Sequence, residues 1–237
     1  MTRSSCGKMA GDRAGAKMAN LGLGGVALVL ALAMAGVAAG ASPAPENSGG
    51  PATEAIRGSI SQVFGLLGDP TLKKPEKAEE RRRQLEKLVA ERICYAEMAK
   101  RSLGVHWQDL SEAEQEEFVT LFQRLLTKTY LHMIEGYTGE QVRYLGERVT
   151  EDFAEVRTRI VSAKVDIPVD YRLLRMAGEW RVYDVVVDGI SLVNNYRGQF
   201  AKILRASSYA DLVEQLRKKV GADDQPSRIS ALASPRP

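Results

Sequence analysis

The sequence predicts an α+β domain in which helices pack on one face of a curved antiparallel four-stranded sheet. Three observations predict it. From about residue 53 to residue 137 apolar side chains recur three and four positions apart, the period of buried helix faces. From 141 to 187 β-branched and aromatic residues become frequent and alternate with polar ones. After Gly189 the helical period returns. Helices, then a strand meander, then helices again is the order expected when helices gather on one side of an antiparallel sheet.

The elements follow from the N-terminus. Arg3, Lys8, Arg13 and Lys17 precede the uncharged run LGLGGVALVLALAMAGVAAGA, which ends in small residues with an Ala-x-Ala pattern at Ala39 and Ala41. Residues 1–41 are therefore expected to be a cleaved signal peptide. The run is also long enough to span a bilayer, and a retained anchor is the alternative. Cys6 lies before the apolar run, which argues against a lipid-modified cysteine. The formal net charge of +3, from 33 basic and 30 acidic residues, belongs to this leader: without its four basic residues and Asp12 the two signs are equal. A neutral domain lacks the basic face that nucleic acid requires, so no nucleic-acid partner is expected. Cys94 is then the single remaining cysteine, and the domain must be held by its core instead of by an internal disulfide.

Residues 42–52 are Pro/Gly-rich and polar and read as a flexible linker, residues 53–220 as one domain, and residues 221–237 as a disordered tail. In the domain, residues 53–67 place Ile56, Ile60, Val63, Phe64 and Leu67 on one stripe, with Thr53 as the cap. Residues 75–103 read as a charged helix buried along Leu85, Leu88, Val89, Ile93 and Met98. Ser111 with Glu114 forms a capping box. It opens a long helix carrying Phe118, Leu121, Phe122, Leu125, Leu126, Tyr130, Met133, Ile134 and Tyr137. Strands are expected at 141–148, 153–165, 167–176 and 180–187, separated by polar breaks at 150–152, Asp166 and 176–179. Gly189 serves as a pivot into a helix marked by Ile190, Val193, Tyr196, Phe200 and Ile203; Leu212, Val213 and Leu216 mark a short final one.

Catalytic and metal chemistry is hard to find. His106 and His132 lie apart with no paired ligand motif, and no nucleophile elbow, phosphate-cradling loop or dinucleotide fingerprint occurs. Ser191 stands where a helix cap belongs. One enzyme reading pairs Tyr183 with Asp184 for proton abstraction in an apolar cone. Adjacent strand residues point to opposite faces, which argues against it, and Asp188 is expected to end the strand and cap the helix.

The apolar pattern says more. Val156, Thr158 and Ile160 share one side of their strand, Ile167, Val169, Tyr171 and Leu173 of the next, and Tyr183, Val185 and Val187 of the last. The other sides carry Arg157, Arg159, Asp170, Arg172 and Asp184, which suit water. Each apolar residue alone is ordinary core. Together they read as an aliphatic wall rimmed by Tyr130, Tyr137, Tyr171, Tyr183 and Tyr196, the wall of an apolar pocket.

Three stretches carry a resemblance: LGVHWQDLSEAEQEEFVTLFQRLLTKTYLHMIEGYTGE in the helical half, IPVDYRLL in the sheet, and GEWRVYDVVVDGISLVNNYRGQFAKIL at the junction. The chain resembles the toluene-tolerance family, the family of the periplasmic phospholipid-binding component MlaC. His106 departs from the family pattern, where an aromatic often precedes the tryptophan. The resemblance implies a non-enzymatic periplasmic carrier with no cofactor. Its cargo would be a phospholipid held by the acyl chains. It would pass between an outer-membrane lipoprotein complex and an inner-membrane ABC transporter complex with its substrate-binding subunit, so maintaining outer-membrane lipid asymmetry. Some relatives are tied to hopanoids, an alternative cargo; a structural envelope adaptor is a third reading. Two acyl chains at about 0.8 kcal/mol per methylene represent on the order of 20 kcal/mol of hydrocarbon to be kept from water. On this reading Tyr130, Ile134, Tyr137, Val156, Ile160, Val169, Tyr171, Leu173, Tyr183, Val185 and Val187 line the wall, while Ile190, Val193, Tyr196 and Phe200 close the far side. Arg197 meets a phosphate or a partner, or is a solvated surface arginine.

Overall fold

The computed structural model describes residues 49–137, 139–163 and 166–221. The expected signal peptide, most of the linker and nearly all of the tail lie outside them. Helix α1 (Pro51–Gly68) opens on a proline, whose fixed φ and missing N–H suit a first turn. It begins inside the expected linker, and Thr53 is not its cap. Glu147, from the sheet, does that work: its Oε2 accepts hydrogen bonds from the Thr53 amide at 2.6 Å and hydroxyl at 2.8 Å. A carboxylate there also meets the positive end of the helix dipole.

The single helix expected over 75–103 is three pieces: a 3₁₀ turn (Pro75–Lys77), α2 (Ala78–Arg92) and α3 (Tyr95–Leu103). The break at Ile93 and Cys94 has a cause in the sheet. Ile93 is extended and bridges Val182, and the Cys94 amide donates to the Val182 carbonyl at 2.8 Å. Pairing an open strand edge outweighs continuing the helix. Helix α4 (Glu112–Glu135) opens with the expected reciprocal capping box between Ser111 and Glu114.

The sheet is β1 (Gln141–Thr150), β2 (Phe153–Val161), β3 (Asp166–Met176), β4 (Glu179–Val187) and β5 (Ile190–Ser191), antiparallel and in sequence order. Four boundaries differ from expectation: β1 runs on to Thr150, β2 stops at Val161 instead of continuing to 165, and β3 and β4 each begin one residue early, at Asp166 and Glu179. The fifth strand was not expected either. Gly189 is not a lone pivot but the second residue of a two-residue turn. Asp188 and Gly189, at φ +50° and +77°, bring Ile190 opposite Val187. Both central residues at positive φ are what a tight hairpin needs. Helix α5 (Leu192–Ala206) follows at once, and α6 (Tyr209–Gly221) ends the described chain.

Direct pairing sorts the sheet into two faces. The inner one carries Ala154, Val156 and Thr158 of β2, Val169, Tyr171 and Leu173 of β3, and Val182, Val185 and Val187 of β4. Ala52 and Ile56 of α1 pack on it, with Trp180 completing that core. Arg92 ties α2 to this assembly by donating to Ser59 Oγ and to the Trp180 carbonyl, each at 2.7 Å. A second apolar cluster joins α1, α2 and α4 through Leu67, Leu85 and Leu131.

Candidate functional site

The inner face is closed at one end and looser at the other. Around Ala154, Val156, Leu173 and Val182 it is fully packed beneath Ala52 and Ile56. Toward the opposite end Val142, Ile160, Ile167 and Val187 are only half-buried, although all four are aliphatic and face the same side. Thr158, buried in this wall, is satisfied by donating to the Val169 carbonyl at 2.6 Å.

Tyr171 marks the transition. Desolvation raises the pKa of its hydroxyl far above the usual tyrosine value, so protein surrounds it on most sides. Yet the side chain is only half-buried, and its hydroxyl is not among the sealed, unpartnered polar atoms. Tyr171 thus stands where the packed end of the inner face gives way to the half-buried one. Helix α1 roofs this region with Ala55 and Ile60. One turn on, Val63 and Leu66 join Ile134 of α4 and Tyr137 just beyond its end, and Phe64 stacks on Tyr137 with ring centroids 4.0 Å apart.

The expected site residues divide into three groups. Val156, Ile160, Val169, Tyr171, Leu173, Val185 and Val187 share the inner face, and Ile134 and Tyr137 stand in the adjoining cluster. Val193, Tyr196 and Phe200 instead interlock with Phe118 and Phe122 in a solid aromatic core; ring centroids there lie 5.2–6.0 Å apart. Tyr130 borders that core: its hydroxyl neighbours the Tyr196 hydroxyl, and desolvation raises both pKa values. Ile190 is exposed on the β5 turn.

Tyr183 and Asp184 correct the expectation twice. A β-bulge between Arg172 and Leu173 leaves Tyr183 without a partner across β3, so the alternation of β4 breaks there. Tyr183 turns to the outer face, where its ring meets Phe153 edge-on and lies 4.2 Å beneath the Arg101 guanidinium. Asp184 points to that face too, but not into water: it is 2% exposed. Its Oδ1 accepts from the Val193 amide at 3.0 Å, and its Oδ2 from the Ser191 hydroxyl at 2.6 Å and from Arg172 Nη1 at 3.1 Å. Ser191, in turn, accepts from the Asn194 amide at 3.0 Å. Ser191 and Asp184 thus cap α5, as was expected of Ser191; Asp188, expected in that role, forms the turn. A carboxylate spent on three structural bonds on the outer face is no general base for a ligand held against the inner one.

Tyr144 and Arg57 were missed. Tyr144 pairs with Thr158 on the inner face, and the Arg57 guanidinium lies 4.2 Å above its ring. The alternation of Val142 and Tyr144 carried the signal for the first; nothing in the sequence marked the second. Arg197, left open between ligand and surface, packs beside Gly104. Among the described residues no three His, Cys, Asp or Glu side chains gather as a metal site requires.

Comparison with known proteins fits this architecture. The family model described as "MlaC protein" matches residues 57–218. The chain belongs to the MlaC family. Within that family it is similar to the intermembrane phospholipid transport system binding protein MlaC of Haemophilus influenzae, 24% identical over 122 residues. The alignment covers 49% of this chain and 57% of the Haemophilus protein. Among solved structures it is similar to a phospholipid-binding protein of Ralstonia solanacearum in complex with a phospholipid. The TM-score is 0.62 at 21% identity, covering 72% of this chain and 97% of that one. The fold is thereby shared over nearly the whole of the Ralstonia protein.

Proposed function

We propose that this protein is a carrier of the MlaC type, holding the acyl chains of a phospholipid against the inner face of its sheet and performing no catalysis. The observation that carries the reading is the aliphatic inner face around Tyr171, formed by Val156, Val169, Val185 and Val187, packed under α1 at one end and only half-buried at Ile160 and Ile167. A wall of this composition offers hydrocarbon much what a bilayer offers, so transfer in either direction is close to neutral and the membrane partners set its course. The family and the phospholipid bound to the Ralstonia relative support the choice of ligand. Among the described residues no helix is long and apolar enough to cross a membrane.

Residues 1–41 act as a cleaved signal peptide that delivers the domain to the periplasm. There it exchanges lipid with an outer-membrane lipoprotein complex and an inner-membrane ABC transporter complex carrying a substrate-binding subunit. Protein purified without detergent should release lipid on organic extraction, and gentle mass spectrometry of the intact protein should show the bound mass. A phospholipid mass supports the reading, a hopanoid mass replaces the cargo, and a protein that is always empty ends it.

A further inference from the structure

Two buried side-chain polar atoms among the described residues have no hydrogen-bond partner: the Tyr196 hydroxyl, enclosed in the aromatic core, and Arg57 Nε. The second belongs to a guanidinium that lies 4.2 Å above the Tyr144 ring, at the inner face. Arg57 Nε lies 3.3 Å from Glu54 Oε1 but is not aligned to bond it, and the two side chains are 40% and 60% exposed. An ion pair so wet contributes little and is easily exchanged. The other nearby carboxylate, Glu147, is occupied by the Thr53 amide and hydroxyl.

Tyr144, beneath Arg57, shares the inner face with Tyr171. Among the described residues no hydrogen bond engages the hydroxyl of Tyr144 or of Tyr171, and charge on Tyr144 raises the pKa of Tyr171. Burial keeps both protonated, hence able to donate. Along the inner face the order is a half-exposed guanidinium, the phenol beneath it and a second phenol nearer the packed Ala154 and Leu173 end. A glycerophospholipid has the same order along its length: a phosphodiester, then ester carbonyls, then hydrocarbon.

We propose that Arg57, Tyr144 and Tyr171 form a polar track for the backbone of a glycerophospholipid, the phosphodiester taken by the Arg57 guanidinium and the ester carbonyls by the two hydroxyls. Arginine presents several donors in a planar fork suited to phosphate. Each phenol supplies the single donor an ester carbonyl accepts. The track rests on the carrier reading and adds a selection to it: lipids that possess a phosphate are kept in preference to those that do not.

The test offers the full-length chain vesicles containing equal amounts of dioleoyl-phosphatidylglycerol and dioleoylglycerol, which differ at the phosphate and share both esters. Lipid retained after re-isolation is counted by mass spectrometry. Wild type should retain mainly the phospholipid. Arg57→Gln should lose about tenfold of that preference while still retaining dioleoylglycerol. Tyr144→Phe and Tyr171→Phe remove only an oxygen, so they preserve packing, and each should lower retention of both lipids about fivefold. Should Arg57→Gln fail to fold, the two phenylalanine variants decide. A wild type that retains both lipids equally, or variants that match it, overturns the track while leaving the carrier. A wild type that retains neither overturns both.

Discussion

Replacing Asp184 with alanine is expected to loosen the junction between β4 and α5 more than any other single carboxylate removal in the sheet. The substitution strips the Val193 amide and the Ser191 hydroxyl of their acceptor in a place water does not reach. Each orphaned buried group costs about 1–3 kcal/mol, and Arg172, 37% exposed, finds water and adds little. The two together cost about 2–6 kcal/mol. For a domain of this size that lowers the melting temperature by roughly 4–24 °C. Asp184→Asn retains one acceptor and should lie about midway. Circular dichroism melts of the two variants beside wild type measure the difference. An alanine variant melting within about 2 °C of wild type would refute the assignment of Asp184 as the α5 cap.

Four further outcomes are expected. Val185→Glu places a charge on the inner face and should abolish lipid recovery on extraction while circular dichroism still reports a folded domain. Glu147→Ala removes the α1 cap and should cost about 1–3 kcal/mol in urea denaturation. Gly104→Ala forces a side chain into φ +61°, ψ −126° and sets its Cβ 3.0 Å from Arg197 Nε, so it should cost about 1–3 kcal/mol by the same measurement. Asp170 has a raised pKa, first because burial disfavours its charge and then because Glu155 is near. A raised folded-state value means that the ionised form costs stability above it. Asp170→Asn should thus stabilise the protein near neutral pH, by less than about 1 kcal/mol given its exposure, and the gain should vanish as pH falls below the ordinary aspartate range. Urea titrations at two pH values distinguish this from a pH-independent effect.

The sequence revealed what depends on local periodicity. The stripes of α1 and α4, the Ser111–Glu114 box, the meander and the shared side of Val156, Val169, Tyr171 and Val185 all follow from spacing alone. What stayed hidden depends on contacts between distant residues. Alternation placed Tyr183 with Val185 because nothing within WRVYD announces a bulge, which arises from the register with β3. Asp184 falls on the outer side by alternation alone, but its partners at the start of α5, Ser191 and Val193, lie seven and nine residues on. The break in the second helical stretch was equally invisible, since AERICYAE is a sound helix until Val182 offers a strand edge. Arg57 reads as one more charge on a helix surface until Tyr144 is seen beneath it.

That interruption at Ile93 and Cys94 bears on how such a protein survives at high concentration. A strand with a bare flank invites a second copy to add to it, and a carrier with a greasy interior is poorly placed to risk polymerising. Here the β4 flank is sealed twice, by the Ile93 and Cys94 backbone at Val182 and by the β5 hairpin at Val186 and Val187. The opposite flank, β1, is instead kinked by its own bulge at Leu145 and carries Arg143 and Arg148. One border is stoppered and the other bent and charged, leaving no straight ribbon along which the molecules could zip together.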